Sequence, residues 1–144
     1  MKITKSDFKL ILAFDFGHKK IGVASGNLIT RTASPLRVIE SNNKIPWNDI
    51  NLIIKEWLPD HLVVGIPKKN SENEITKKCK KFSAELKKRY KLNVSEVDES
   101  FTSVEAKSIL KKYRELGIKK KITKKTDIDI YSAVLIAEQW MMYE

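Results

Sequence analysis

The sequence predicts an α/β protein with a mixed sheet, an antiparallel hairpin and edge strand followed by parallel strands, flanked by helices. Two observations carry this. Leu10–Phe14 and Ile21–Ala24 are apolar runs of strand length joined only by a short Gly- and Lys-containing turn, which makes them a hairpin. The later strand-like runs, His61–Ile66 and Asn93–Asp98, each follow a helix-spaced segment, and strands joined through helices pair in parallel.

The first strand ends on Asp15, turns through Phe16, Gly17, His18, Lys19 and Lys20, and returns as Ile21–Gly26. Thr32 to Glu40 reads as a third strand, with Pro35 directing it to a sheet edge. Pro46 opens a short helix whose Ile50, Ile53, Ile54 and Trp57 share one face, so Trp57 is read as core. After the His61–Ile66 strand and a polar loop, Ser71 and Glu74 form a capping pair that starts the next helix. There Ile75, Cys79, Phe82, Leu86 and Tyr90 keep helical spacing while lysines cover the other sides, so Cys79 is a packing residue. A second capping pair, Thr102 and Glu105, predicts a helix to about Leu116, stopped by Gly117. A basic loop, 118–126, precedes a final helix over Asp127–Met142 that is apolar on most sides and therefore packed on more than one.

At 144 residues, with no linker, repeat or low-complexity tract, the chain reads as one domain, 1–144. No apolar run reaches membrane-spanning length, and the first nine residues lack the apolar centre of a secretory signal. A single cysteine excludes an internal disulfide and fits a reducing cytoplasm. Lys and Arg outnumber Asp and Glu by 28 to 18, a net charge of +10. That excess points to a polyanionic partner, nucleic acid ahead of anionic membrane, set against lysines that simply solubilise. The preponderance of lysine favours diffuse phosphate contacts over bidentate reading of bases.

Three sites place acids at the ends of buried elements: Asp15, Glu99 after Asp98, and Asp127 with Asp129 at the start of the last helix. Each has an ordinary alternative, as turn residue, loop residue and helix cap respectively. If those ends meet at one sheet edge, the clustered carboxylates need cations, and hard oxygen ligands suit Mg²⁺ or Mn²⁺. Such ions activate water and stabilise the leaving oxygen in phosphodiester hydrolysis.

Four segments carry a resemblance. Ala13–Ala24 (AFDFGHKKIGVA) is similar to the opening LDFGxKRIGVA hairpin of the YqgF/RuvX family of RNase H-like nucleases. Val63–Pro67 resembles its VVGLP strand and loop, Val97–Ala106 its xDERxTSxEA segment, and Lys124–Lys125 with Asp129–Ile136 its closing K…DxxAAxxIL. Ser100 departs from the family's usual Arg, and Ser132 replaces the first Ala of the closing motif. The resemblance implies an RNase H-like fold and a catalytic, metal-binding set of Asp15, Glu99 and Asp129. It also implies a metal-dependent endonuclease, acting in the cytoplasm on the 5′ end of the small-subunit (16S) ribosomal RNA precursor during ribosome biogenesis.

Lys19, Lys20, Lys119, Lys120, Lys121, Lys124 and Lys125 are the candidate phosphate contacts. Expected partners are nucleic acid, RNA favoured over DNA, and pre-ribosomal particles, with no membrane. Two alternatives stand beside this reading. A Holliday junction resolvase would use the same chemistry on four-way DNA, with a homodimer spacing two cuts. A non-catalytic RNA-binding protein of the same fold would be favoured by Ser100.

Overall fold

The computed structural model describes residues 9–17, 19–42, 44–67, 73–98 and 125–143, the last as backbone with side chains from Tyr131 to Met142. The elements are β1 (Leu10–Phe16), β2 (Lys20–Asn27), β3 (Thr32–Glu40), α1 (Trp47–Trp57), β4 (His61–Ile66), α2 (Glu74–Tyr90), β5 (Val94–Asp98) and α3 (Lys125–Tyr143). The strands form one sheet in the order β3-β2-β1-β4-β5. β1–β2 and β2–β3 pair antiparallel, whereas β1–β4 and β4–β5 pair parallel. This is the mixed sheet that the hairpin and the helix-separated strands predict.

The turn between β1 and β2 closes on Gly17, whose N–H donates to the Lys20 carbonyl at 2.9 Å. A β-carbon on Gly17 would lie 2.8 Å from that carbonyl oxygen, closer than van der Waals contact allows, so the turn requires glycine. β3 is an edge strand, as Pro35 suggests. Ala24 pairs with Pro35 but Val23 with Arg37, leaving Leu36 as the extra residue of a bulge. At the other end of the sheet, Asp60 fastens β1 to β4: its Oδ2 accepts the N–H groups of Lys9 and Leu10 at 2.9 and 3.0 Å.

Helix boundaries correct three expectations. α2 is capped by Asn73, whose Oδ1 accepts the Thr76 N–H at 2.9 Å, so the helix starts at Glu74 on an Asn cap; Ser71, the expected cap, lies outside the described residues. An Asn in extended conformation directly before the helix satisfies an orphan N–H as well as a Ser would. Trp57 is 37% exposed rather than core. Ile50 and Ile53 carry the buried face of α1, and the helix ends in a left-handed Leu58 whose side chain is exposed, so its last turn overhangs the sheet. The final helix begins at Lys125, two residues earlier than expected, so residues 125 and 126 are helical and not loop. The helix read over 102–116 and the loop over 118–124 lie outside the described residues.

Alternation along the strands sorts side chains into two cores. Leu12 and Phe14 of β1, with Leu62, Val64 and Ile66 of β4, face α1 and α2 and meet Ile50, Ile53, Cys79, Phe82 and Leu86. Cys79 is buried there, in the packing role its spacing predicts. Ile11, Ala13, Val63 and Val97 face the opposite way, against Ile136, Ala137, Trp140 and Met141 of α3. Six consecutive α3 residues, Ser132 to Ala137, are buried, as expected for a helix packed on more than one side.

Candidate active site and nucleic-acid surface

The C-terminal ends of the parallel strands β1, β4 and β5 share one edge of the sheet. Asp15 pairs with Gly22 of β2 on one side and Gly65 of β4 on the other, and Gly65 in turn pairs with Val97 of β5. Because Ile11 and Ala13 face α3, Asp15 faces α3 too, half-buried one step from the strand end. Its two cross-strand neighbours are glycines, so no side chain from β2 or β4 stands beside the carboxylate in its own row. An acid so placed costs free energy unless it is solvated or neutralised, and its hard oxygen donors suit a divalent cation.

The direction of α3 brings its first turns toward the same edge. Trp140 stacks on His61, the first residue of β4, with centroids 4.7 Å apart. The Met141 Cε would lie 3.4 Å from a β-carbon on Gly26, the partner of Ile11 near the start of β1. Ala133 and Val134 instead pack on Ala24, closer to the Asp15 end. The axis therefore runs against β1, with the turn that holds Asp129 preceding Ala133. The Asp129 side chain lies outside the described residues, as does all of Glu99, whose neighbour Asp98 ends β5. The Asp98 carbonyl accepts a long hydrogen bond, 3.4 Å, from the Gln139 side chain of α3. Among the described residues no three His, Cys, Asp or Glu side chains gather as a metal site, so of the predicted acids Asp15 alone has a described carboxylate.

Of the predicted phosphate contacts, Lys19 is exposed and Lys20 half-buried at the hairpin turn beside Asp15. Lys20 alternates with Ile21 and Val23, which face α2, and so stands on the Asp15 face. Lys119, Lys120, Lys121 and Lys124 lie outside the described residues, and Lys125 is described only as the first residue of α3.

Two features escape the sequence. His61 is 4% exposed, its Nε2 is 2.8 Å from the Ser95 hydroxyl, and burial pushes its pKa down to about 4. It sits at the opposite end of the strands from Asp15, so it is a neutral core residue and no part of the acid site. Its only signal was a polar residue opening an apolar strand. The second feature is a groove of about 590 Å³ on the α2 side of the sheet, lined by Phe16, Trp47 and Phe82 with lysines at its rim. Those aromatics are far apart in sequence and carry no spacing signal.

Residues 9–143 match the model of a family described as RuvX: Holliday junction resolvase. The chain is 41% identical over 133 residues to a Legionella pneumophila protein named "Putative pre-16S rRNA nuclease", covering 90% of this chain and 93% of that one. Proteins of the same name from Wigglesworthia glossinidia brevipalpis and Francisella philomiragia are 42% and 36% identical, covering 92% and 93% of this chain and 91% and 97% of theirs. Among solved structures, Thermus thermophilus RuvC in complex with a Holliday junction substrate superposes with a TM-score of 0.60 at 14% identity, covering 90% of each chain. A fowlpox virus resolvase with its junction DNA gives 0.58 at 17%, covering 92% of this chain and 96% of the resolvase. With the mixed five-stranded sheet, this likeness shows an RNase H-like fold.

Proposed function

The chain belongs to the RuvX family, and from that premise we propose that it is a metal-dependent endonuclease that processes the 5′ end of the 16S ribosomal RNA precursor. The activity is hydrolysis of phosphodiester bonds in nucleic acid. The observation that carries the reading is Asp15, a half-buried carboxylate at the sheet edge, flanked by two glycines and facing α3.

Asp15, Glu99 and Asp129 would hold Mg²⁺ or Mn²⁺, which when bound supplies an activated water and charge stabilisation at the leaving oxygen. The protein does the positioning. Gly22 and Gly65 put no side chain beside Asp15 in its row. Lys20, on the same face, and Lys19 in the turn bind flanking phosphates. Lys119, Lys120, Lys121, Lys124 and Lys125 extend that basic surface, and the net charge of +10 draws the polyanion to it. Ser100 in place of Arg removes one cation beside Glu99, which this basic surface offsets. The setting is the cytoplasm, with pre-ribosomal particles as the physiological substrate.

The likeness to junction-bound resolvases favours a second reading, in which a homodimer cuts four-way DNA. One experiment tests both. A labelled ribosomal RNA precursor with its 5′ leader and a four-way DNA junction are incubated with the wild type, Asp15→Asn and Glu99→Gln in Mg²⁺ or Mn²⁺. Cleavage of the precursor by the wild type alone is expected. Cutting confined to the junction selects the resolvase, and cutting that survives both substitutions overturns the carboxylate mechanism.

A further inference from the structure

We propose that the groove on the α2 side of the sheet is a binding site for an unpaired nucleotide of a single-stranded RNA segment, separate from the acid site but opening on the same edge. The inference rests on the nucleic-acid substrate proposed above. The groove's walls are aromatic: Phe82 lies with its ring centroid 4.9 Å from Phe16 and 5.7 Å from Trp47. Phe16 and Trp47 are only half-buried and line the groove, Phe16 offering apolar ring surface and Trp47 held in place by Phe82 and Arg89. The volume, about 590 Å³, is that of a small-ligand site.

Charge selects the ligand. Lys44 and Lys81 stand exposed at the rim. The acid on the wall, Glu85, is already held by Arg89 at 3.0 Å, and the same guanidinium covers the Trp47 ring at 4.0 Å. An aromatic floor under a cationic rim complements a flat base carrying an anionic phosphate. A single strand offers both at once, whereas a duplex hides its bases.

Position ties the groove to the reaction. Phe16 follows Asp15 in β1, and alternation sends their side chains to opposite faces of one strand end. A strand crossing the edge would leave one nucleotide in the groove while a neighbouring phosphodiester lies at Asp15. The groove would thus choose unpaired RNA and set where along it the cut falls.

The test measures binding of a labelled hexauridylate, a hexamer RNA duplex and free UMP to the full chain, comparing the wild type with Lys44→Glu/Lys81→Glu and with Trp47→Leu. The double variant alters exposed side chains only and keeps the test valid if Trp47→Leu folds poorly. We expect hexauridylate affinity to fall at least about tenfold, with duplex binding within about twofold of wild type. On the RNA precursor, KM should rise with kcat unchanged, the mark of lost substrate binding. Unchanged hexamer affinity, or equal losses for hexamer and duplex, overturns the proposal. So does UMP binding as tightly as the hexamer, which would mark a free-nucleotide site. A wild type that cuts no RNA yet binds the hexamer through Lys44 and Lys81 refutes the RNA-processing reading and leaves the groove standing.

Discussion

Lowering the pH should destabilise the fold through His61, by an amount its burial fixes. In the folded chain its pKa is pushed down to about 4, against 6.5 for an ordinary histidine. As pH falls below 6.5 the unfolded chain takes up the proton first, so stability falls with pH across the window from 6.5 to 4 and levels off below it. The full loss is about 3 kcal/mol, and about 2 kcal/mol of it falls between pH 7.5 and 5.0. Trp140 works the other way, since an imidazolium stacked on an indole gains about 0.5–2 kcal/mol. The observed loss should therefore lie at about 1–2 kcal/mol. Urea unfolding at the two pH values measures it, with tryptophan fluorescence reporting the His61–Trp140 stack. The quantity that counts is the difference from His61→Phe, which isolates this one side chain. That variant loses the Ser95 hydrogen bond, about 1 kcal/mol at either pH, but nothing further on acidification. Parallel pH dependences for the two proteins, to within about 0.5 kcal/mol, would refute the reasoning.

Other outcomes follow from the same structure. Asp15→Asn should lower cleavage by at least about a thousandfold and abolish Mg²⁺ or Mn²⁺ binding in calorimetry, while keeping the urea midpoint within about 1 kcal/mol of wild type. Gly17→Ala forces a β-carbon to 2.8 Å from the Lys20 carbonyl oxygen and should cost about 1–2 kcal/mol in urea unfolding. Phe82→Ala empties the centre of the Phe14–Phe16–Trp47 cluster and should cost about 3–5 kcal/mol, with the near-ultraviolet dichroism of Trp47 reduced.

Much of the fold was legible because its signals are local. The hairpin shows as two apolar runs around a glycine turn, and Pro35 alone directs β3 to the edge where it lies. His61–Ile66 is buried at every position, as an apolar run lying between helix layers should be. The errors came where two local signals competed or where the answer depended on distant parts. Ser71 and Asn73 are both good caps, and spacing to Glu74 favoured the wrong one. Trp57 continues the apolar face of α1, but only the position of the sheet reveals that the face ends sooner than the helix. At the site, alternation from Ile11 fixes which face Asp15 takes, whereas the helix covering that face is a tertiary fact. Spacing holds no distance among Asp15, Glu99 and Asp129, so their grouping came from the family motifs. The aromatic groove joins residues from β1, α1 and α2, and no periodicity links them.

The two faces of the sheet are completed at different times in the life of the chain. The core against α1 and α2 uses residues up to Val94, all made before α3. The other core needs α3, so among the described elements no helix covers Ile11, Ala13, Val63 and Val97 until residues 125–143 are synthesised. That apolar sheet face waits for its helix while the chain emerges from the ribosome, and apolar surface of this kind recruits chaperones or sticks to neighbours. The helix that carries Asp129 is made after every described strand, so under the proposed mechanism the metal-binding set is completed last.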